Sequence, residues 1–161
     1  MHRAVDVAYK MLQEAKVKEL RLSNLQLQKL IYIAHGYLLG ITGRPLISDE
    51  VQAWRYGPVI HAVYHHFKEH GRNKIPVDGI EKISFASDFT EHELECIQGV
   101  LDLFGSDSAE SLISITHQDD TPWDKVWNSG GKHGLFVVIP NDIIKDHYRK
   151  VLTDPQGVSG L

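Results

Sequence analysis

The stretch that most limits what this chain can fold into runs from Leu27 to Ile41. Leu27, Leu30, Ile31, Ala34, Leu38 and Ile41 recur at helical spacing, the longest clean pattern of this kind in the sequence. Ser23 or Asn24 can cap its start, because a short polar side chain there accepts a hydrogen bond from an otherwise orphaned backbone N–H. Gly43 supplies a stop, and Pro45 forbids resumption.

The flanking segments predict a mainly α-helical single domain over residues 1–153, of six to seven helices with two or three short strands. Val5, Ala8, Leu12 and Ala15 give a first helix that ends near Lys16. After Pro45, Val51, Ala53 and Arg55 alternate with Gln52, Trp54 and Tyr56, so one extended segment is expected with Trp54 and Tyr56 on the same face. The segment turns sharply at Gly57-Pro58, and Pro58 then suits the first position of a helix, where it has no N–H to satisfy, with Ile60, Val63, Tyr64 and Phe67 inward as far as Gly71. Residues 73–88 are irregular. Thr90 and Glu93 form a capping box for a helix burying Leu94, Ile97, Leu101 and Phe104. Asp107 can start a short helix through His117, and Thr121-Pro122-Trp123 reads as cap, first helical residue and anchor of another. Residues 135–139 suit a short strand. A last helix from about Pro140 uses Ile144, Tyr148, Val151 and Leu152, and residues 154–161 are expected to be a disordered tail.

Composition removes several function classes. The 161 residues carry 17 basic and 21 acidic side chains, a net charge of −4, whereas a sequence-independent grip on nucleic acid needs clustered Lys and Arg. The densest basic run, residues 16–21, is broken by Val17 and Glu19. A helix-turn-helix is also disfavoured, since about seven residues join the first two helices instead of the usual short turn. No apolar run approaches the roughly 18 residues of a membrane span, and the N-terminus lacks a secretory h-region. Cys96 is the single cysteine, so a reducing cytoplasm is the expected compartment.

Ten histidines are many for this length. His61 and His65 are four residues apart, as are His66 and His70, and such pairs can chelate a metal if a third ligand arrives, such as Glu69 or His117. The zincin pattern fails, however, because Ala62 stands where Glu is required. The simpler reading is the solvated face of an amphipathic helix. Asp119, Asp120 and Thr121 read as capping choices and His117 as a helix C-terminal residue. Gly130-Gly131-Lys132 lacks the remaining elements of a P-loop. Cys96 adjoins the inward position Ile97, which favours packing over reactivity. No cofactor and no catalytic constellation is expected.

Four blocks in order carry a family resemblance: Leu27-Gln28-Lys29-Leu30 with Tyr32, Ala34 and Gly36; Ala53-Trp54 with Tyr56-Gly57-Pro58-Val59; Val63-Tyr64; and Thr116-His117 followed by Pro122-Trp123. Together they resemble the Panacea domain, also called the SocA-like or phage-associated GepA-like domain. The likeness extends from about Leu20 to Val151. It departs at Ile33, where an aromatic is frequent, and at His65-His66, where an acidic residue is more usual.

The resemblance implies an antitoxin of a phage or bacterial toxin–antitoxin pair, neutralising a toxin by direct contact. That toxin would be a protein encoded by the adjacent gene. Lys29 and Tyr32 would flank a groove with Trp54, Arg55 and Tyr56, since aromatic and Arg anchors dominate interface energetics. An acidic surface would steer association with a basic toxin. The competing readings are a metal-dependent hydrolase using His61, His65 and His117, and a phage-borne adaptor that binds a host protein. For Trp54, Tyr56 and Trp123 a plain core role competes with a binding role.

Overall fold

A computed structural model describes residues 1–153; the expected disordered tail lies outside the described residues. The chain forms helices α1 (Ala4–Val17) and α2 (Asn24–Thr42), then strands β1 (Gln52–Trp54) and β2 (Gly57–Val59). Helices α3 (His61–Phe67), α4 (Glu91–Phe104), α5 (Ala109–Thr116) and α6 (Pro122–Asn128) follow, and strand β3 (Val137–Val138) leads into α7 (Asn141–Thr153). Seven helices and three strands among the described residues make the fold mainly α, as expected.

Helix α2 is the axis of the molecule. Its start is fixed by a reciprocal cap, in which Ser23 accepts from the Gln26 N–H and Gln26 accepts from the Ser23 N–H. Gly43 ends it in a left-handed conformation. The expected stripe is only part of its buried surface: 14 of its 19 residues are buried, because α1, α3, α4, α5, α7 and β2 all pack against it. Helices surrounded in this way lose the polar face that an amphipathic pattern implies. Ile41, expected inward, lies past the end of this packing and is exposed.

Helix α7 makes the largest of these contacts, and it comes close because Gly36 leaves room. A Cβ at Gly36 would fall within the Tyr148 ring. Tyr148 is fully buried, with the rings of Tyr32 and Tyr37 edge-on to it at 6.1 and 5.2 Å. Leu152, the outermost of the expected contacts of this helix, is partly exposed.

Two buried histidines close the periphery. His35 accepts the Leu46 N–H at Nδ1 (3.2 Å), and its Nε2 lies 2.9 Å from Asn141 Oδ1, joining α2, the following loop and α7. Burial pushes its pKa down, only partly offset by the Asn141 hydrogen bond. His2 Nε2 lies 2.8 Å from Glu93 Oε2, and its ring stacks on Phe89, tying the N-terminus to the capping box of α4. The backbone of His2 also pairs with Leu46 and Ser48.

The expected single extended segment is instead a hairpin. Trp54 pairs with Gly57, Ala53 with Pro58 and Gln52 with Val59, leaving Arg55 and Tyr56 as the loop. Gly57 supplies the positive φ, +112°, that the reversal requires. Pro58 therefore does not start a helix. It occupies an edge strand, where a missing N–H is tolerated, and α3 begins at His61. The third strand pairs antiparallel to β1 on its other side, placing β1 at the centre. Elsewhere the caps fall close to expectation: Thr90 and Glu93 form their box, Ser108 rather than Asp107 caps α5, and Thr121 caps α6 with Pro122 next.

Candidate partner-binding site

The hairpin is the feature around which the motif residues gather. On its inner side, Lys29 Nζ donates to the Pro58 carbonyl at 2.7 Å, and Gln28 Oε1 accepts the Ile60 N–H at 3.0 Å. Gln28 is held by Asn24, whose side-chain amide also donates to the Tyr64 carbonyl. On the opposite flank, Trp123 Nε1 donates to the Trp54 carbonyl at 2.6 Å. The His117 ring stacks on Trp123 at 4.0 Å, with Trp127 on the same indole at 5.5 Å. The Val51 carbonyl accepts from the Ile139 N–H at 2.7 Å. Backbone groups that would otherwise be buried unpaired are thus satisfied by side chains from α2 and α6.

Lys29 is 0% exposed and Tyr32 1%, so neither lines a groove. The expectation that they face a partner is corrected by the packing of α2 on all sides. Burial lowers the Lys29 pKa to about 7, and a side chain on Gly57 would press against its Nζ. Tyr32 keeps its hydroxyl inside the core, where burial raises its pKa and no hydrogen-bond partner is found among the described residues. Trp123 is likewise a core residue.

Trp54, Arg55 and Tyr56 are placed differently. Trp54 is half-buried; Arg55 and Tyr56 project at the tip, Tyr56 62% exposed with the Arg55 guanidinium 5.4 Å from its ring. Tyr56 does not share a face with Trp54, because the chain has reversed between them.

A family model described as "Antitoxin SocA-like, Panacea domain" matches residues 27–124, which include the hairpin, Lys29 and Trp123. The chain belongs to this Panacea domain family. It is also 37% identical over 153 residues to Antitoxin SocA of Caulobacter vibrioides (strain NA1000 / CB15N), covering 89% of this chain and 80% of that protein. No solved structure shows a significant match.

Within this Panacea domain most of the motif residues occupy three kinds of place. Leu27, Leu30, Ala34, Ala53 and Val63 fill the core, and Val59 is buried at its edge. Gly36 and Gly57 permit close approach, and Gln28, Lys29, Pro58, Thr116, His117, Pro122 and Trp123 form or support the frame of the hairpin. Thr116 is buried, donating to the Leu112 carbonyl beside Gly57. Tyr64, expected inward, lies 41% exposed against the Trp54 ring at 5.2 Å.

The histidines do not assemble as a three-ligand site. The rings of His61 and His65 lie 6.0 Å apart, but His117 is committed to Trp123, and no group of three His, Cys, Asp or Glu among the described residues is placed to hold a metal. His66 turns the other way and hydrogen-bonds the Tyr9 hydroxyl at 2.7 Å. Cys96 is half-buried, its thiol pKa pushed up by burial and then by Glu95 and Glu93, the opposite of an activated nucleophile. No helix among the described residues is long and apolar enough to cross a membrane.

Sequence reasoning missed Phe136. Its ring lies 5.3 Å from Trp54 and 5.7 Å from His61, and its φ of +55° is rare for an aromatic residue. The apolar pair Leu135-Phe136 directly after Gly134 was the available signal, and the structure leaves both exposed. The contacts of His35 and His2 had none, since their partners are 106 and 91 residues away.

Proposed function

We propose that this chain is an antitoxin that neutralises a protein toxin by direct binding, without chemistry of its own, in the cytoplasm. The observation that carries the reading is the 37% identity with Antitoxin SocA over 153 residues. The geometry is compatible with it. A hairpin whose backbone is fixed on both flanks presents Arg55 and Tyr56 at its tip, with Trp54 half-exposed behind them. Aromatic and Arg side chains held on a rigid support lose little entropy when a partner covers them. The toxin would be the product of the adjacent gene.

The test is growth of cells induced to express that gene product, with and without this chain. Arrest that is relieved by the chain is the expected result. A product that is harmless, or that remains toxic when the chain is present, overturns the reading.

A further inference from the structure

Two of the segments that pack around Trp54 are free of carboxylates in an otherwise acidic chain; the third, α6, carries Asp124, which is engaged by the Asp120 N–H and the Asn128 side chain. Residues 51–67 and 129–139 contain no Asp or Glu, although the chain has 21, and they carry Arg55, His61, His65, Lys132 and His133. The structure brings these two segments together. Trp54 meets Tyr64, His61 and Phe136 at 5.2 to 6.0 Å, and His65 extends the row beyond His61. The turn Gly131–His133, which carries Lys132 and His133 exposed, packs against β1. Below the tip, Tyr56 shares a cleft with Arg72, Lys74 and Glu110, so cations predominate there too.

Phe136 supplies a second, independent observation. A non-glycine residue at φ +55° is strained, and the cost is met here to hold a ring that stays 47% exposed. Leu135 before it is 81% exposed. Burial does not explain such a conformation; presenting the ring outward beside Trp54 and His61 does.

We infer that this face, centred on Trp54, His61, Tyr64 and Phe136 with Arg55 at its edge, is the toxin-docking surface and takes a segment that combines acidic and apolar side chains. The assignment rests on the antitoxin reading for the identity of the partner. Charge complementarity selects the acidic segment, because a basic one would meet cations without a single carboxylate from either flanking stretch. A single-stranded nucleic acid fits less well. The rings pack against one another rather than lying open as platforms, and only Arg55 and Lys132 are permanent cations in these stretches, too few to track a phosphate backbone.

The experiment measures the affinity of the full chain for the adjacent gene product by calorimetry. Three variants are compared: Phe136→Gly, the double substitution His61→Glu/His65→Glu, and Ile41→Glu. The last lies in an apolar groove of about 240 Å³ between α2 and α4 and is the control for a different docking surface. The expected result is binding at least tenfold weaker for the first two and within twofold of wild type for Ile41→Glu, with melting temperatures close to wild type. Loss confined to Ile41→Glu overturns the surface while leaving the antitoxin reading intact.

A gene product that is not toxic and does not bind defeats the antitoxin reading separately. The face is then decided by a peptide of alternating Glu and Leu and its Lys-for-Glu counterpart. Shifts of the Trp54 indole resonance by the Glu peptide alone support it, and equal or absent shifts overturn it. Saturable binding of oligothymidylate that these same substitutions abolish would also overturn it, in favour of nucleic acid.

Discussion

The ammonium nitrogen of Lys29 reaches across from the central helix to the Pro58 carbonyl at 2.7 Å, both residues buried. One charge-capable side chain is therefore enclosed in the core in order to satisfy the backbone of an edge strand. A lysine in this position is a conditional strut. It donates whether protonated or neutral, but only the neutral form suits an apolar site.

Stability should consequently rise with pH above neutrality. Burial lowers Lys29 to about 7, so above that pH the folded chain holds it neutral, whereas the unfolded chain keeps the proton until about 10.4. The unfolded state binds more protons in this window, and stability gains up to about 1.4 kcal/mol per pH unit from this group. Cys96, the half-buried Tyr37 and the buried Tyr32 and Tyr148, all raised by burial, oppose the trend at the alkaline end. Comparing wild type with Lys29→Met removes their effect. Urea unfolding at pH 7, 8 and 9 should show a steeper rise for wild type than for the variant; equal slopes would mean that Lys29 stays charged in the fold.

Gly36→Ala should cost about 1–3 kcal/mol, the usual range for overpacking a filled core. The added methyl collides with the Tyr148 ring, and α7 has to move to accept it. Tyr148→Leu loses packing of its own, but the two substitutions should be less than additive, because the smaller side chain vacates the space that the methyl needs. Chemical denaturation of the four members of this cycle gives the coupling. Strict additivity would show that the steric contact is relieved elsewhere.

What was legible in the sequence follows from range. Helix starts at Ser23, Thr90 and Thr121 depend on partners three residues away, so local reasoning reached them. A sharp turn was legible at Gly57-Pro58, but its place at Arg55-Tyr56 and the return strand after it were not. Gly57-Pro58 is equally at home before a helix, and the choice is made by Lys29, Gln28 and Trp123 arriving from distant helices. The same blindness placed Lys29 and Tyr32 on a surface. Lys29 and Tyr32 lie outside the apolar stripe of α2, and only the packing of α1, α3, α4, α5 and α7 around that helix encloses them. Of the proposed docking face, Trp54 and Arg55 could be named in advance, whereas Phe136 joins it only through the return of β3 to β1.

Acid should weaken the fold through His35. Its Nδ1 accepts the Leu46 N–H, so protonation destroys an acceptor in a buried site, and burial accordingly depresses its pKa. The unfolded chain takes up a proton below about pH 6.5 before the folded chain does, and stability falls as pH drops through that region. His35→Gln should be less stable at pH 7 but should lose less between pH 7 and 5. A parallel loss in both proteins would assign the acid sensitivity to other groups, such as the His2–Glu93 pair.

The hairpin separates the residues that build a site from those that would use it, and substitutions can show this. Trp123→Phe keeps a ring against His117 but removes the donor to the Trp54 carbonyl, which should cost about 1–2 kcal/mol for an unsatisfied backbone acceptor. Arg55→Ala/Tyr56→Ala removes exposed side chains that lie against each other, and should leave stability within about 0.5 kcal/mol. Partner affinity should move the other way. On the proposed partner-binding role of the hairpin, the tip variant should lose at least tenfold, about 1.4 kcal/mol, because exposed Arg and Tyr side chains on an intact support are the residue types that anchor interfaces. Urea denaturation and calorimetry on the same two preparations make the comparison. A tip variant that binds as wild type would exclude Arg55 and Tyr56 from the interface, whatever Trp123→Phe does to the fold.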